Sequence, residues 1–328
     1  MRHALVTGAT GFIGSSLVKR LHRDGHAVRA LVLNGDTPDP DWDAGVEIIR
    51  GDVTSSQQLA RALAGVDAVF HLAAVVGDWG AEALFRRVTV EGTRNVLAAA
   101  AAVRARVVLA SSIVVYGDRL GRETCVEQTP HGRAYGPYSR AKQAQEILAR
   151  EWLQRGADIR IVRPANVYGP GSRIWVDEVV RLLLRGAPVL VSGGDRDAGL
   201  VHVDNVVDIL LRAASDQAAS GGIYNACDEL GVSWRRYFGD LAAMAGAPSP
   251  RSAPSWMVWP AATVMETLWR TAGASQRPPL TREAVHLISA DIKVPAAQAR
   301  QDLGHCSLVD YPTGMEAISD YAIQTGLI

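Results

Sequence analysis

Cysteine is scarce in this sequence: three residues in 328, at Cys125, Cys227 and Cys306. An odd number, so widely spaced, argues against a disulfide framework and a cysteine-based zinc site; each reads as a buried or neutral thiol in a reducing compartment. Net charge is also missing. Lys and Arg total 34, as do Asp and Glu, so the formal net charge is zero. No global field draws the chain to nucleic acid or to an anionic membrane. Short basic stretches such as 181–185 lie among apolar residues and read as solvated helix faces. No uninterrupted apolar run reaches the length of a membrane span, so no stable membrane insertion is expected. The eight histidines have no HExxH-like spacing, and no GxSxG elbow occurs, so neither a metal site nor a serine-hydrolase elbow is expected. The first strand begins at His3 with no leader ahead of it, and a cytoplasmic location is expected.

What is present is the balance of an ordinary globular protein, long enough for one large α/β domain and an added lobe. Apolar runs at 4–6, 27–33, 46–49, 68–72, 106–111 and 159–163 read as strands. They are too continuous to have a solvated face, which suits a parallel sheet covered on both sides. Helical patterns near 12–24, 55–64, 82–104 and 136–155 alternate with them. This predicts an α/β fold with a doubly wound parallel sheet. After Pro164 the regularity fades. Residues 201–214 read as a strand end running into a helix, and 222–225 as a short strand. From about Ser233 the chain reads as a smaller, mainly helical C-terminal lobe, rich in proline between Pro248 and Pro279. The expected division is 1–168 with 200–226 for the dinucleotide-binding domain, and 169–199 with 227–328 for the substrate lobe.

The segment 7–14, Thr-Gly-Ala-Thr-Gly-Phe-Ile-Gly, follows the first strand and opens the first helix. Gly8 suits a tight turn, Gly11 a close approach to a pyrophosphate, and Gly14 close packing of helix on sheet. The helix N-terminus adds free N–H groups and a positive dipole. Two later strand ends, 51–53 and 71–74, belong at the same carboxyl edge. Asp52 could accept from an adenine amino group or could cap a helix. His71 and His202 follow strands and read as structural polar residues. A carboxylate at the end of the second strand would hold the ribose of NAD, and an Arg there would accept the extra phosphate of NADP. Asp36 lies a little past that end and Arg50 ends the third strand. No guanidinium is expected where the phosphate needs it, which favours NAD over NADP.

Tyr138 and Lys142, four apart on one helix, share a face. A free phenol ionises near pH ~10. A neighbouring ammonium would favour phenolate, making Tyr138 an acid/base near neutrality, with Lys142 also free to hold the nicotinamide ribose. Ser112, at the end of the fifth strand, falls within reach as a holder of the substrate oxygen.

Together these motifs resemble the extended short-chain dehydrogenase/reductase superfamily, over nearly the whole chain. The marks are TGATGFIG (7–14), GDV (51–53), HLAA (71–74), VEGTRNVL (90–97), SSIVVYG (111–117), YSRAK (138–142), RPANVYGPG (163–171) and VHVDNVVD (201–208). The resemblance implies a Rossmann-type NAD(P)-binding oxidoreductase with Ser112, Tyr138 and Lys142 catalytic. It implies cofactor contacts at Gly8, Phe12, Ile13, Asp52, Leu72, Ala73 and Pro164. The full candidate cofactor set adds Thr10, Gly11, Gly14, Val53, Ala74, Ser111, Ala165, Asn166 and Val167 to these, with Tyr138 and Lys142. Thr89 stands where the superfamily usually has Asn.

Nucleotide-sugar members usually carry an Arg where Ala198 stands, and a second in the C-terminal lobe that is not evident here; Arg173, Arg196 or Arg282 could substitute. VDNVVDILLRAA (203–214) and PPLTREAVHLIS (278–289) look instead like the 3β-hydroxysteroid dehydrogenase and dihydroflavonol reductase branch. Trp256, Met257, Trp259, Met265 and Trp269 could line an apolar pocket or form the lobe's own core. A membrane-resting patch is disfavoured, because Pro260 interrupts the helix and only Arg270 is basic nearby. Val76, Asp78, Trp79, Ile113 and Asn166 are the candidate substrate contacts. The reading is therefore hydride transfer between a nicotinamide and a bulky apolar secondary alcohol or ketone. The alternatives are a nucleotide-sugar epimerase/dehydratase and a non-catalytic dinucleotide-binding protein. The long helices near 82–104 and 136–155 resemble those that pair subunits, and imply a homodimer.

Overall fold

A computed structural model describes residues 1–328. The strands are β1 (His3–Thr7), β2 (Ala27–Val32), β3 (Glu47–Arg50), β4 (Ala68–His71), β5 (Arg106–Ala110), β6 (Ile159–Pro164), β7 (Asn166–Tyr168), β8 (Pro188–Val191), β9 (Leu200–His202), β10 (Ile223–Ala226) and β11 (Arg251–Ala253). The helices are α1 (Phe12–Arg23), α2 (Ser56–Ala62), α3 (Glu82–Phe85), α4 (Gly92–Val103), α5 (Pro137–Gln154), α6 (Glu178–Leu184), α7 (Val203–Ala213), α8 (Trp234–Met244), α9 (Ser255–Thr271), α10 (Arg282–Ser289), α11 (Ala297–Leu303) and α12 (Tyr311–Gln324).

Seven strands form one sheet in the order β3-β2-β1-β4-β5-β6-β10, every pair parallel. The doubly wound parallel sheet expected from the pattern is present. Its first strand explains why alternation was missing. Ala4 and Val6 face one core with Leu17, Val18 and Leu21 of α1, while Leu5 faces the other with Leu59, Val96 and Leu148. A strand buried on both faces has no polar side to alternate with. The strand order reverses between β1 and β4, so their carboxyl ends open the crevice where a dinucleotide binds in such sheets.

The helix expected over 82–104 is one rod with a π turn, Arg86–Glu91, between α3 and α4. At this wide turn the Thr89 carbonyl accepts the Thr93 hydroxyl at 2.6 Å. Three short strands, β7, β8 and β11, were not expected; β7 pairs with the expected β9 and β8 with β11, each over three or four residues, too few for a period to register. The C-terminal lobe has its own core, in which Trp234, Tyr237 and Phe238 of α8 meet Val180 and Leu183 of α6 and Ile318 of α12. Helix α9 runs unbroken through Pro260. Cys125 and Cys227 are buried, but Cys306 is exposed, just past α11.

Helix α5 is fastened to the sheet by a charged pair inside the core. Arg163 on β6 and Glu146 on α5 are both fully buried. Arg163 donates through Nε at 2.8 Å and Nη2 at 2.7 Å to the two carboxylate oxygens. Ser111 and His131 add bonds to Glu146 at 2.7 and 2.9 Å. The third guanidinium nitrogen, Nη1, donates to the Tyr116 hydroxyl and the Glu127 carbonyl. Burial pushes the Glu146 carboxyl up, but the bonds from Arg163, His131 and Ser111 outweigh it and hold the group down at about 2.

Removing one partner leaves the other buried and uncompensated. Glu146→Ala is expected to cost about 3–5 kcal/mol, read as a lower urea midpoint. In the parent, the contribution of Glu146 is complete above the ordinary carboxyl range near pH ~4.3. It is lost as pH falls from there through about 2. An unchanged midpoint in the variant would refute the role assigned to the pair.

Candidate active site

The glycine segment closes the crevice floor. Gly8 has φ of +66°, and a Cβ there would lie 2.7 Å from the Ala73 backbone nitrogen. A Cβ on Gly14 would lie 2.1 Å from the Gly8 carbonyl oxygen, so only glycine lets α1 start this close to the turn. A Cβ on Gly11 would meet nothing within 4 Å but Gly8 O, at 3.2 Å. Gly11 also caps α1 without a side-chain bond. An uncapped helix start behind an open, side-chain-free surface fits a pyrophosphate. Phe12 reaches across toward Gly171, 3.8 Å from an ideal Cβ there. At the tip of β2, Thr10 Oγ1 donates to Asp36 at 2.8 Å, which ties a carboxylate to the glycine loop. The absence of a guanidinium at this point does not hold. Arg50 Nη1 donates to the carbonyls of Leu33 at 2.8 Å and Asp36 at 2.6 Å, beside the end of β2.

Ser112 and Tyr138 meet beyond the carboxyl end of β5. Ser112 begins a 3₁₀ turn, its hydroxyl accepting from Val114 N at 3.3 Å. That hydroxyl lies near the Tyr138 phenol and favours its ionised form. Burial pushes the phenol up to about 12; Ser112 opposes this, and the charge of Glu283 adds to it. Burial pulls the Lys142 ammonium down to about 7, opposed by Glu146. The expected tuning of phenol by ammonium is not made. Lys142 Nζ lies 5.9 Å from the Tyr138 ring centroid and donates to Ala110 O at 2.7 Å and Gln145 Oε1 at 3.0 Å.

From Gln145 a buried polar chain leads to the glycine loop. Gln145 Nε2 donates to Thr93 Oγ1 at 2.7 Å. Thr93 spends its own proton on the Thr89 carbonyl, so His71 Nε2, 2.8 Å away, must donate to it. His71 Nδ1 is then the acceptor for the Thr7 hydroxyl at 2.7 Å, and Thr7 Oγ1 accepts from Ala73 N at 3.3 Å. The register that pairs Thr7 with His71 across β1 and β4 makes this contact possible. Burial, then the Lys142 charge, drives the His71 imidazole down to about 3, so it stays neutral. Thr89, in place of the usual Asn, accepts from Val75 N at 3.1 Å.

Other candidate residues divide. Leu72, Ala73 and Ala74 follow β4 along the crevice, and Pro164, Ala165 and Val167 continue from β6 into β7. Ser111 turns its hydroxyl away from the crevice, to Glu146. Asp52 is not the helix cap. It accepts from Thr54 N at 2.8 Å, while Ser55 caps α2. Val53 is buried in the core against Gly92. Asn166 donates to Ala198 O at 2.6 Å. Ile113 is 1% exposed and belongs to the core, so it is no substrate contact. Asp78 is clasped by Arg277 through two bonds of 2.6 Å, and Trp79 Nε1 donates to Ala274 O at 3.4 Å. Both residues therefore join the β4 loop to the C-terminal lobe. Trp256 and Met257 are exposed and line neither pocket nor core, whereas Trp259 packs on Tyr135 and His286. Val76 is exposed. His202 accepts from Asp204 N as the cap of α7.

Glu283 of α10 was not foreseen. Its Oε1 accepts from Ser139 N at the start of α5, and its buried Oε2 has no partner. Burial raises it to about 7, with Ser139 opposing and Asp78 adding. The available signal was an acid three residues before His286 in PPLTREAVHLIS.

A family model described as the NAD dependent epimerase/dehydratase family matches residues 4–227. The chain belongs to that family. It is an NAD(P)-dependent oxidoreductase of the extended short-chain type, as its motifs suggested. Among its relatives is a 4-hydroxy-2-methyl-3-oxo-4-farnesyl-3,4-dihydroquinoline-1-oxide ketoreductase of Stigmatella aurantiaca, 29% identical over 95% of this chain and 94% of that protein. Another is a 2-alkyl-3-oxoalkanoate reductase of Stenotrophomonas maltophilia, 29% identical over 96% and 97%. A solved structure of MoeE5 in complex with UDP-glucose and NAD matches with TM-score 0.75 and 28% identity over 98% of this chain and 99% of that one.

The Gly14–Gly8 contact is backbone against backbone and cannot yield cheaply. Gly14→Ala is expected to weaken NAD binding by about tenfold or more, a loss near ~1.4 kcal/mol. Calorimetric titration of folded variant and parent tests this; equal affinity would refute it.

Proposed function

We propose that this protein interconverts a bulky, apolar ketone and its secondary alcohol. The observation that carries the reading is the meeting of Ser112 and Tyr138 beside the glycine-lined crevice, with no arginine at position 198. A bound nicotinamide supplies the hydride donor or acceptor. In the oxidation direction Ser112 holds the substrate oxygen and Tyr138 takes the hydroxyl proton. In reduction the same phenol returns it. Lys142, on the next turn of α5, is our choice for the ribose anchor, which it reaches by giving up its bond to Gln145. The residues 1–168 with 200–226 serve the nucleotide, and 169–199 with 227–328 the substrate. NAD is our choice of cofactor, with Asp36 at the ribose, although Arg50 lies near enough to make NADP the necessary control.

Charge at the substrate side supports the apolar reading. Ala198 is fully buried. Of the arginines that could replace one at 198, Arg282 is paired with Glu266 at 2.7 Å, Arg173 reaches Glu178 at 3.6 Å and Arg196 is exposed, while Arg277 holds Asp78. Two relatives named as reductases of lipophilic carbonyl compounds support it too. The second reading, a nucleotide-sugar epimerase or dehydratase, is favoured by the likeness to MoeE5 with UDP-glucose.

Net absorbance of reduced nicotinamide, with NAD and NADP supplied separately to secondary alcohols, steroids and nucleotide sugars, tests the reading. Turnover is expected with apolar alcohols and is expected to fall on the order of 10²–10⁴-fold in Tyr138→Phe. Conversion of a nucleotide sugar with no net reduced cofactor would transfer the protein to the second reading. The Glu283 charge gives a further expectation. It exists above pH about 7 and raises the phenol. In Glu283→Gln the alkaline rise of kcat/KM for alcohol oxidation is therefore expected to move to lower pH. A limb that stays in place would mean that the charge does not reach the phenol.

A further inference from the structure

Helix α9 carries an apolar face that nothing in the fold covers. Trp256 is 75% exposed, Met257 50%, Val264 57% and Leu268 56%. With Pro260 they recur at helical spacing along one side of the rod. The opposite side is packed, through Val258 and Ala262 in a small core and Trp259 on Tyr135 and His286.

The polar groups on the open side make no demand on water. Thr263 Oγ1 donates to Trp259 O at 3.0 Å, Thr267 to Thr263 O at 2.8 Å, and Thr271 to Leu268 O at 3.0 Å. Each hydroxyl proton is returned to the helix's own backbone, the arrangement a helix needs where its surroundings offer no acceptor. The charges are of one sign. Between 249 and 281 the only charged residues are Arg251, Glu266, Arg270 and Arg277. Glu266 is buried and neutralised by Arg282, and Arg277 is spent on Asp78. That leaves two exposed cations without an acid partner: Arg251 on β11, four residues before the helix, and Arg270 in its last turn, stacked on Trp79 at 4.7 Å. The objections raised by the sequence do not survive. Pro260 leaves the helix intact, and a second exposed arginine, Arg251, precedes its start by four residues.

We propose that α9 docks this enzyme, without insertion, on a lipid surface bearing anionic headgroups. Trp256, Met257, Val264 and Leu268 enter the headgroup boundary, and Arg251 and Arg270 pair with the phosphates. A protein partner would have to leave the face's charges unanswered or bring acids to both ends; a phospholipid surface supplies apolar depth and negative charge together. Docking would set the Tyr135 side of the site just behind the lipid, a short path for a lipophilic ketone. That last consequence rests on the function proposed above, and docking itself does not.

The test is co-sedimentation of the full chain with vesicles of phosphatidylcholine containing phosphatidylglycerol, and of phosphatidylcholine alone. The parent is expected to bind the mixed vesicles, less so as salt rises. Trp256→Ser with Leu268→Ser is expected to weaken binding about tenfold or more. Turnover of a short, water-soluble ketone is expected to be unchanged in that variant, which shows that it is folded. A parent that binds neither vesicle, or a variant that binds as well as the parent, would overturn the proposal. So would a parent dimer, seen by light scattering, that this variant alone dissociates; the face would then belong to a second copy. Vesicle binding that behaves as expected, with no turnover of any ketone, would strike the function reading and leave docking standing.

Discussion

The Arg163–Glu146 pair is the constraint on which the site depends. A guanidinium and a carboxylate without water are tolerated only when nearly every donor and acceptor is used, and here they are. Glu146 lies one helical turn after Lys142, which lies one turn after Tyr138. Fixing Glu146 against β6 therefore fixes the rotation of α5 about its axis. That rotation sets the phenol beside Ser112 and the lysine against the Ala110 carbonyl at the end of β5. The same cluster reaches Asn225 on β10 through Tyr116, whose hydroxyl donates to it at 2.7 Å, so the last strand of the sheet is held by the bonds that orient the chemistry.

Burial dominates the electrostatics around that helix. It raises the phenol, lowers the ammonium and raises Glu283, each toward its neutral form. A site at rest in this condition has little charge of its own to give. The polar chain from Lys142 to Ala73 keeps the lysine occupied and fixes the histidine tautomer without any charged partner for His71. The C-terminal lobe acts on the site through Glu283, which touches the first turn of α5 and bears on the phenol.

Most of the sheet was legible in the sequence, because its strands are apolar on both faces and its glycines sit where only glycine fits. The tight fit at Gly8 and Gly14 and the placing of Tyr138 and Lys142 on one helix could be read because they depend on local spacing. Ser111, Val53 and Ile113 misled for one reason: each neighbours a candidate residue in sequence, yet its side chain leaves on the opposite face of strand or turn. Arg163 was a missed signal. An arginine inside an apolar strand with no solvated face must have a buried partner, and Glu146 was one turn beyond Lys142. The contacts made by Glu283, Asp78 and Arg50 were illegible, since each joins segments with no common pattern. The three short strands failed for lack of length.

The clasp between Asp78 and Arg277 joins residues 199 apart in the chain. Contacts of such separation must wait for the chain between them to be arranged. On a ribosome, the nucleotide cradle is complete in sequence long before Arg277 emerges. The clasp on the β4 loop is thus made late, and a chain stalled before it would have its glycine-lined crevice with the β4 loop still unfastened.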